Sequence, residues 1–339
     1  MLRSCIACAD ETQRGFRTPP TDGPTTHGRD AMKLKDLFWP AIGLAAVGVS
    51  IWLLYNELRG VSLDDVSDGL AAIAPHAWAM AGVSTIAAYL ALAGYDQIAL
   101  THLRKTVPWF FVALCSFTTY ALSHNIGGSV ISGAVIRYRA YATKGLSAQE
   151  VGVLVAICWF TFTLSTVLLG SLLLLVMPDL LGRFAQAAFP GLSYALGIAG
   201  LALVAAYVFG SWLRLKPLRI GGFSLEYPAL AIVARQLLIG PAELLAAAAI
   251  IYFVLPATAN PGYVAVLGIF IISFSVAQIS HAPGGLGVLE VMFLTGLSDM
   301  DPVAVLAALL VFRLFYLIIP LIVALFVVVL FEKSQFRQR

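Results

Sequence analysis

The chain has 339 residues, 60% of them hydrophobic and only 12% charged, with a net charge of +3 and a mean hydropathy of +0.89. Soluble domains carry roughly 25% charged residues, so a water-soluble globular protein is excluded. Long unbroken apolar runs also exclude a β-barrel, whose strands alternate over about ten residues. The fold class expected is an all-α integral membrane protein, with membrane lipids as its surroundings and no nucleic-acid partner.

Residues 1–31 carry Pro19, Pro20 and Pro24 among balanced charges and have no apolar core or signal-peptide h-region. They are expected to be disordered, and Met32-Lys33-Leu34-Lys35 reads as an alternative start. Residues 32–339 are then a single polytopic membrane domain. Cys5 and Cys8 are spaced like half a metal site but have no matching pair, so no metal is expected.

Apolar segments follow at about 38–56, 77–100, 107–136, 151–176, 192–212, 228–255, 263–298 and 303–331. Most are long enough to cross a hydrocarbon core as helices. Two of them are broken, and by the same phrase. Ser116–Gly128 reads SFTTYALSHNIGG and Ser273–Gly285 reads SFSVAQISHAPGG, 157 residues later. Both copies run on to Gly-Leu-Ser, at Gly145–Ser147 and Gly296–Ser298.

Basic residues flanking the spans set the orientation. Lys33 and Lys35, Arg104 and Lys105, Arg137, Arg139 and Lys144, and Arg214, Lys216 and Arg219 all read as cytoplasmic. The acidic loop Asp64, Asp65 and Asp68 reads as external. The segment at 107–136 then enters and leaves on one side, and 263–298 does the same on the other. Each half becomes span, span, hairpin, span, with repeat one at 38–176 and an inverted repeat two at 192–331. Full crossing by the first hairpin would put Arg137 and Arg139 deep in lipid at a cost of several kcal/mol, which favours re-entrant hairpins. Localisation in a bacterial inner membrane follows, with both termini cytoplasmic.

Helix breaks at matching places in two halves point to a transport site. A broken helix presents unpaired N–H groups and a positive dipole end where it resumes, which suits a phosphate or carboxylate. Gly127, Gly128, Pro283, Gly284, Gly285 and Gly287 are candidates on that ground. His124 and His281, three residues before each Gly-Gly, are candidates for a proton relay. Arg137 and Arg139 lie two residues apart and point to nearly opposite faces, so only one of them would line a cavity; beside Tyr138 and Tyr141 both also fit a plain interfacial anchor. Arg235, Glu243, Glu290 and Arg313 sit within apolar helices, where ionised side chains normally face a cavity or a partner. Glu290 and Arg313 suit a pair. Arg235 and Glu243, about 12 Å apart along one helix, need other partners, and Asp96 is a weaker candidate of the same kind. No P-loop, H-E-x-x-H or G-x-S-x-G is present, so no ATP-driven motor or familiar membrane hydrolase is expected, and no cofactor.

The run Pro283-Gly-Gly-Leu-Gly-Val-Leu-Glu290, the apolar helix carrying Arg313, and the Gly127-Gly128 region with Arg137 and Gly145-Leu-Ser resemble the transmembrane part of the lysylphosphatidylglycerol synthase/flippase (MprF) family and its YbhN-like relatives. The likeness spans roughly residues 38 to 331. It implies movement of an aminoacylated phospholipid from the inner to the outer leaflet, in a family whose synthase activity sits in a separate soluble domain. The chain ends eight residues beyond its last apolar segment, so translocation without synthesis is the expectation. Other readings stay open: a membrane enzyme working through His124 and His281, a partner subunit of a separate lipid-modifying enzyme, and an ion- or solute-coupled carrier. Homo-oligomerisation is left open too.

Overall fold

The structure is a computed structural model and describes residues 63–338 apart from 127–128, 186–188, 214–217, 221–222, 226–227 and 281. The N-terminal tail, the first apolar segment, Gly127, Gly128 and His281 lie outside the described residues.

The described part is almost wholly helical. In chain order it holds α1 (Leu63–Ala71), α2 (Pro75–His102), α3 (Trp109–Ile126), α4 (Ser129–Ala142) and α5 (Ala148–Val176). A 3-10 turn (Pro178–Arg183) leads to α6 (Pro190–Trp212). A short antiparallel hairpin, β1 (Leu218–Ile220) with β2 (Phe223–Leu225), precedes α7 (Leu230–Val254) and α8 (Tyr263–Ser280). A 3-10 turn (Pro283–Gly285), α9 (Val288–Gly296), α10 (Pro302–Phe312), a π-helical turn (Arg313–Ile318) and α11 (Ile319–Gln338) complete it.

Six of these helical stretches, α2, α5, α6, α7, α8 and α10 through Phe331, are long and apolar enough to cross a membrane. The protein is a multi-pass membrane protein, and its outer surface fits that. Ile86, Leu203 and Phe326 are each more than 60% exposed, an arrangement stable only against lipid.

Local sequence explains the element boundaries. Pro75 and Pro190 stand at helix starts, where a missing N–H costs nothing. α5 opens on a capping box: the Ser147 hydroxyl accepts the Glu150 N–H at 3.3 Å, and Glu150 accepts the Ser147 N–H at 2.8 Å. Leu146 and Val151, both buried, close the hydrophobic staple around that cap. α10 begins on Asp301, whose carboxylate accepts the Ala304 N–H, with Pro302 next to it.

The helices meet through small residues, as expected where lipid supplies no hydrophobic drive for helix association. α2 runs along α7, and α5 packs on α6 and α7. A Cβ on Gly94 of α2 would lie 2.7 Å from Ile239 of α7. A Cβ on Gly240 of α7 would collide with the Ser165 hydroxyl of α5. α4 packs back on α3, α9 packs on α8, and α3 also touches the Pro283–Gly285 turn and α11. α2, α3, α4, α5, α7 and α8 therefore all reach the centre of the bundle.

Candidate functional site

Among the described residues, the buried charged side chains fall into three groupings inside the apolar bundle. The first closes the break between α8 and α9. Gly284, Gly285 and Gly287 adopt φ of +60°, +62° and +76°, a left-handed backbone that side chains with a Cβ resist. That geometry turns the Gly284 and Gly285 carbonyls away from any helical ladder. Arg313, at the start of the π-helical turn, donates from Nη1 to the Gly284 carbonyl at 3.0 Å and from Nη2 to the Gly285 carbonyl at 3.4 Å. Its Nε donates to Glu290 Oε1 at 2.6 Å. Glu290 stands in the first turn of α9, where a negative charge complements the dipole. The helix end expected to be open to an anion is thus already faced by a carboxylate of its own helix, because the sequence supplies an acid at the third helical position. Glu290 Oε2 is buried and makes no hydrogen bond.

A second grouping ties α4 to α2. Arg137 is 4% exposed and Asp96 fully buried. Arg137 Nε donates to Asp96 Oδ2 at 3.2 Å and its Nη2 to Oδ1 at 2.7 Å, a two-point contact that fixes orientation as well as charge. The Tyr141 hydroxyl, one turn further along α4, donates to Asp96 Oδ2 at 2.9 Å, and the Cys158 thiol of α5 approaches Oδ1 at 3.5 Å. The guanidinium also lies over the Tyr120 ring, 4.8 Å from its centroid. Arg139 points to the opposite side of α4 and is exposed, as the two-residue spacing requires.

The third is a central cavity of about 60 Å³. It is lined by Arg137, Glu243, His124 and Ser123 together with aromatic side chains that include Tyr95 and Tyr120. Trp159 of α5 and Gln278 of α8 also line it and are themselves exposed, so the cavity reaches the outer face of the bundle between those helices. Glu243 is 2% exposed; its Oε1 accepts the Tyr316 hydroxyl at 2.7 Å, and its Oε2 is buried without a partner. His124 Nδ1 is likewise buried without a partner, and the ring stacks on Tyr316 at 5.5 Å.

Tyr316 belongs to the π-helical turn, and Pro320 explains why the turn departs from α geometry. Pro320 has no N–H, so the Tyr316 carbonyl lacks its ordinary donor four residues on. The Tyr89 hydroxyl of α2 takes that carbonyl at 2.9 Å, and Asn125 Nδ2 of α3 takes the Leu317 carbonyl at 3.2 Å.

The structure therefore gathers His124, Arg137 and Glu243 around one cavity and sets Pro283, Gly284, Gly285, Gly287, Glu290 and Arg313 in a separate cluster. Arg235 corrects its expectation. It lies in the second turn of α7 and is exposed, because it stands on the outward face of a helix whose Ile232, Val233 and Gln236 face the bundle and are buried. Asp96, ranked low from sequence, is the counter-charge of Arg137. Tyr316, Tyr89 and Asn125 were missed altogether; the one signal available was Pro320, four residues after Tyr316.

The profile of the lysylphosphatidylglycerol synthase TM region family matches residues 41–324. The chain belongs to this family. Among relatives of the lysylphosphatidylglycerol synthase TM region, an uncharacterized protein of Synechocystis is 28% identical over 307 residues, covering 90% of this chain and 95% of that one. The inner membrane protein YbhN of Escherichia coli is 28% identical over 264 residues, 75% of this chain and 80% of YbhN. A phosphatidylglycerol lysyltransferase of Staphylococcus haemolyticus is 26% identical over 298 residues, 86% of this chain but only 33% of the enzyme. The matched region takes in all three polar groupings, so a reading of the site belongs to the transmembrane region that the family is defined by.

Proposed function

We propose that the protein is a lipid translocase that moves a phospholipid, with aminoacylated phosphatidylglycerol as the first candidate, between the leaflets of a bacterial inner membrane. The observation that carries this reading is the set of buried charges around the central cavity. Ionised groups inside a membrane-spanning bundle cost several kcal/mol and are kept where a polar substrate or ion must pass. Here they surround a cavity whose rim, at Trp159 and Gln278, faces the surface that lipid covers.

The two ends of such a head group find different partners. Asp96 occupies Nε and Nη2 of Arg137, and Nη1 is the donor edge left to meet a phosphate. Glu243 Oε2 makes no hydrogen bond and suits the ammonium of an aminoacyl ester. A cavity of about 60 Å³ holds a few waters and not a glycerophosphate, so the arrangement described corresponds to a closed state. Loading then needs α5 and α8 to part.

In this account α3 with α4, and α8 with α9, are re-entrant hairpins of two inverted repeats whose rocking alternates access, and both termini face the cytoplasm. Membership of the lysylphosphatidylglycerol synthase TM region family supports a lipid-related role. The lysyltransferase named among the relatives supports the head-group class.

Native mass spectrometry of the protein released from membranes tests the reading. The wild type is expected to carry an anionic or aminoacylated phospholipid, with occupancy falling about tenfold in Glu243→Gln, the loss of one good polar contact. Equal lipid adducts in wild type and variant would count against it.

A further inference from the structure

Among the described residues, Glu243 is the only acid lining the central cavity. One of its oxygens is held by Tyr316, and the other is buried and makes no hydrogen bond, with the Tyr95 hydroxyl a nearby donor. A carboxylate oxygen in that position is costly unless a proton or a water serves it. The cavity has room for both. A water needs about 10–15 Å³ of such space, so about 60 Å³ admits a short file of waters from the rim at Trp159 and Gln278. The second unserved atom, His124 Nδ1, lines the same cavity.

Among the described residues, the surroundings of Glu243 hold one cation, and it is already paired. From α2 come Tyr89 and Tyr95, from the π-helical turn Tyr316, and from α3 His124 and Tyr120. From α4 comes Arg137, already matched by Asp96, and from α5 Cys158. Tyr263 of α8 spends its hydroxyl on the Leu245 carbonyl, Tyr207 of α6 bonds Gln236, and α10 has no titratable side chain. Among the described residues, no unpaired cation stands against Glu243.

Tyr316 connects this site to the broken helix. Its hydroxyl donates to Glu243, its ring stacks on His124, and its carbonyl accepts the Tyr89 hydroxyl. Arg313, three residues earlier in the same π-helical turn, holds the Gly284 and Gly285 carbonyls and Glu290. A π-helical turn differs from α-helix by one step of hydrogen-bond register and is frequent at functional sites. We propose that Glu243 is a proton-loading site, fed through the central cavity, whose occupancy sets the register of the Arg313–Ile318 turn and with it the hold of Arg313 on the broken helix. Loading adds one proton from cavity water to the carboxylate to give the neutral acid, and release returns it. No other bond is made or broken. The proposal goes beyond lipid translocation and does not depend on it.

The test uses the full chain in proteoliposomes, by infrared difference spectroscopy between about pH 5 and about pH 8 and by amide hydrogen exchange corrected for intrinsic rates. The wild type is expected to show a carboxylic C=O band on acidification that shifts in D2O, together with a several-fold change in exchange across residues 313–320 and 282–290. Glu243→Gln should lack the band and hold the acid exchange pattern at both pH values. Tyr316→Phe should keep the band and lose the exchange response. Identical difference spectra in wild type and Glu243→Gln would overturn the proposal, and so would a band without an exchange response. A response that persists in Glu243→Gln and disappears in His124→Gln would give the site to the imidazole and overturn it as well. If Glu243→Gln fails to insert, Tyr316→Phe decides: loss of the response with the band intact supports the proposal, and retention contradicts it. A chain that shows the proton response but moves no fluorescent phosphatidylglycerol would support this proposal while sinking the lipid reading.

Discussion

Arg313 holds Glu290 at 2.6 Å and, with its remaining nitrogens, takes the carbonyls of Gly284 and Gly285. One side chain thereby satisfies both the backbone and the charge of a helix break inside an apolar bundle. Removing it leaves two carbonyls and a carboxylate without donors, so Arg313→Ala is expected to cost about 3–5 kcal/mol, the range for breaking a buried pair. Glu290→Gln, which keeps a hydrogen-bonding oxygen, should cost less than half of that. Reversible unfolding in mixed micelles, followed by tryptophan fluorescence, measures both.

The Arg137–Asp96 pair makes a sharper prediction because both members are buried. Asp96→Asn removes the counter-charge of a buried guanidinium and should lose about 3–5 kcal/mol. The double change Asp96→Asn with Arg137→Gln removes both charges together and should lose clearly less than the sum of the single changes. A double-mutant cycle that came out additive would show that the two do not interact in the membrane.

Pro320 is predicted to be the reason Tyr89 matters. In the wild-type background Tyr89→Phe should cost about 1 kcal/mol, the value of a typical hydrogen bond. With Pro320→Ala the Tyr316 carbonyl regains a backbone donor, and the same Tyr89→Phe change should cost close to nothing. Unfolding free energies of the four proteins in this cycle check it.

At the α5–α7 contact, Gly240 is required by close approach. Gly240→Ala should cost about 1–3 kcal/mol through overpacking against Ser165. Ser165→Ala added to it should recover part of that loss, since the hydroxyl is the atom in the way. Equal stabilities for the single and double variants would place the strain elsewhere.

Much of the fold was legible because hydrophobic length and helix punctuation are local signals. The segments read at 151–176, 192–212 and 228–255 sit within two or three residues of α5, α6 and α7, and Gly284 marks a real break, its φ of +60° being a left-handed backbone that glycine adopts at least cost. Glu290 with Arg313 was legible for a similar reason: two opposite charges in adjoining apolar stretches have few other partners. Asp96 was not, since nothing in a spacing of 41 residues says that α2 and α4 bring it against Arg137. The role of Tyr316 depends on a non-standard turn, and the exposure of Arg235 depends on where α7 meets its neighbours. Both are tertiary facts with no periodic trace in the chain.

Leaflet exchange in proteoliposomes tests the translocase account most directly. Fluorescent phosphatidylglycerol, its lysyl ester and a prenyl phosphate are compared by accessibility to an external quencher. The wild type is run beside Glu243→Gln and the charge-free Asp96→Asn/Arg137→Gln pair. The account predicts faster exchange of one lipid class by the wild type, lost in both variants. Exchange no faster than in protein-free liposomes for all three lipids, with the wild type folded and inserted, would contradict it.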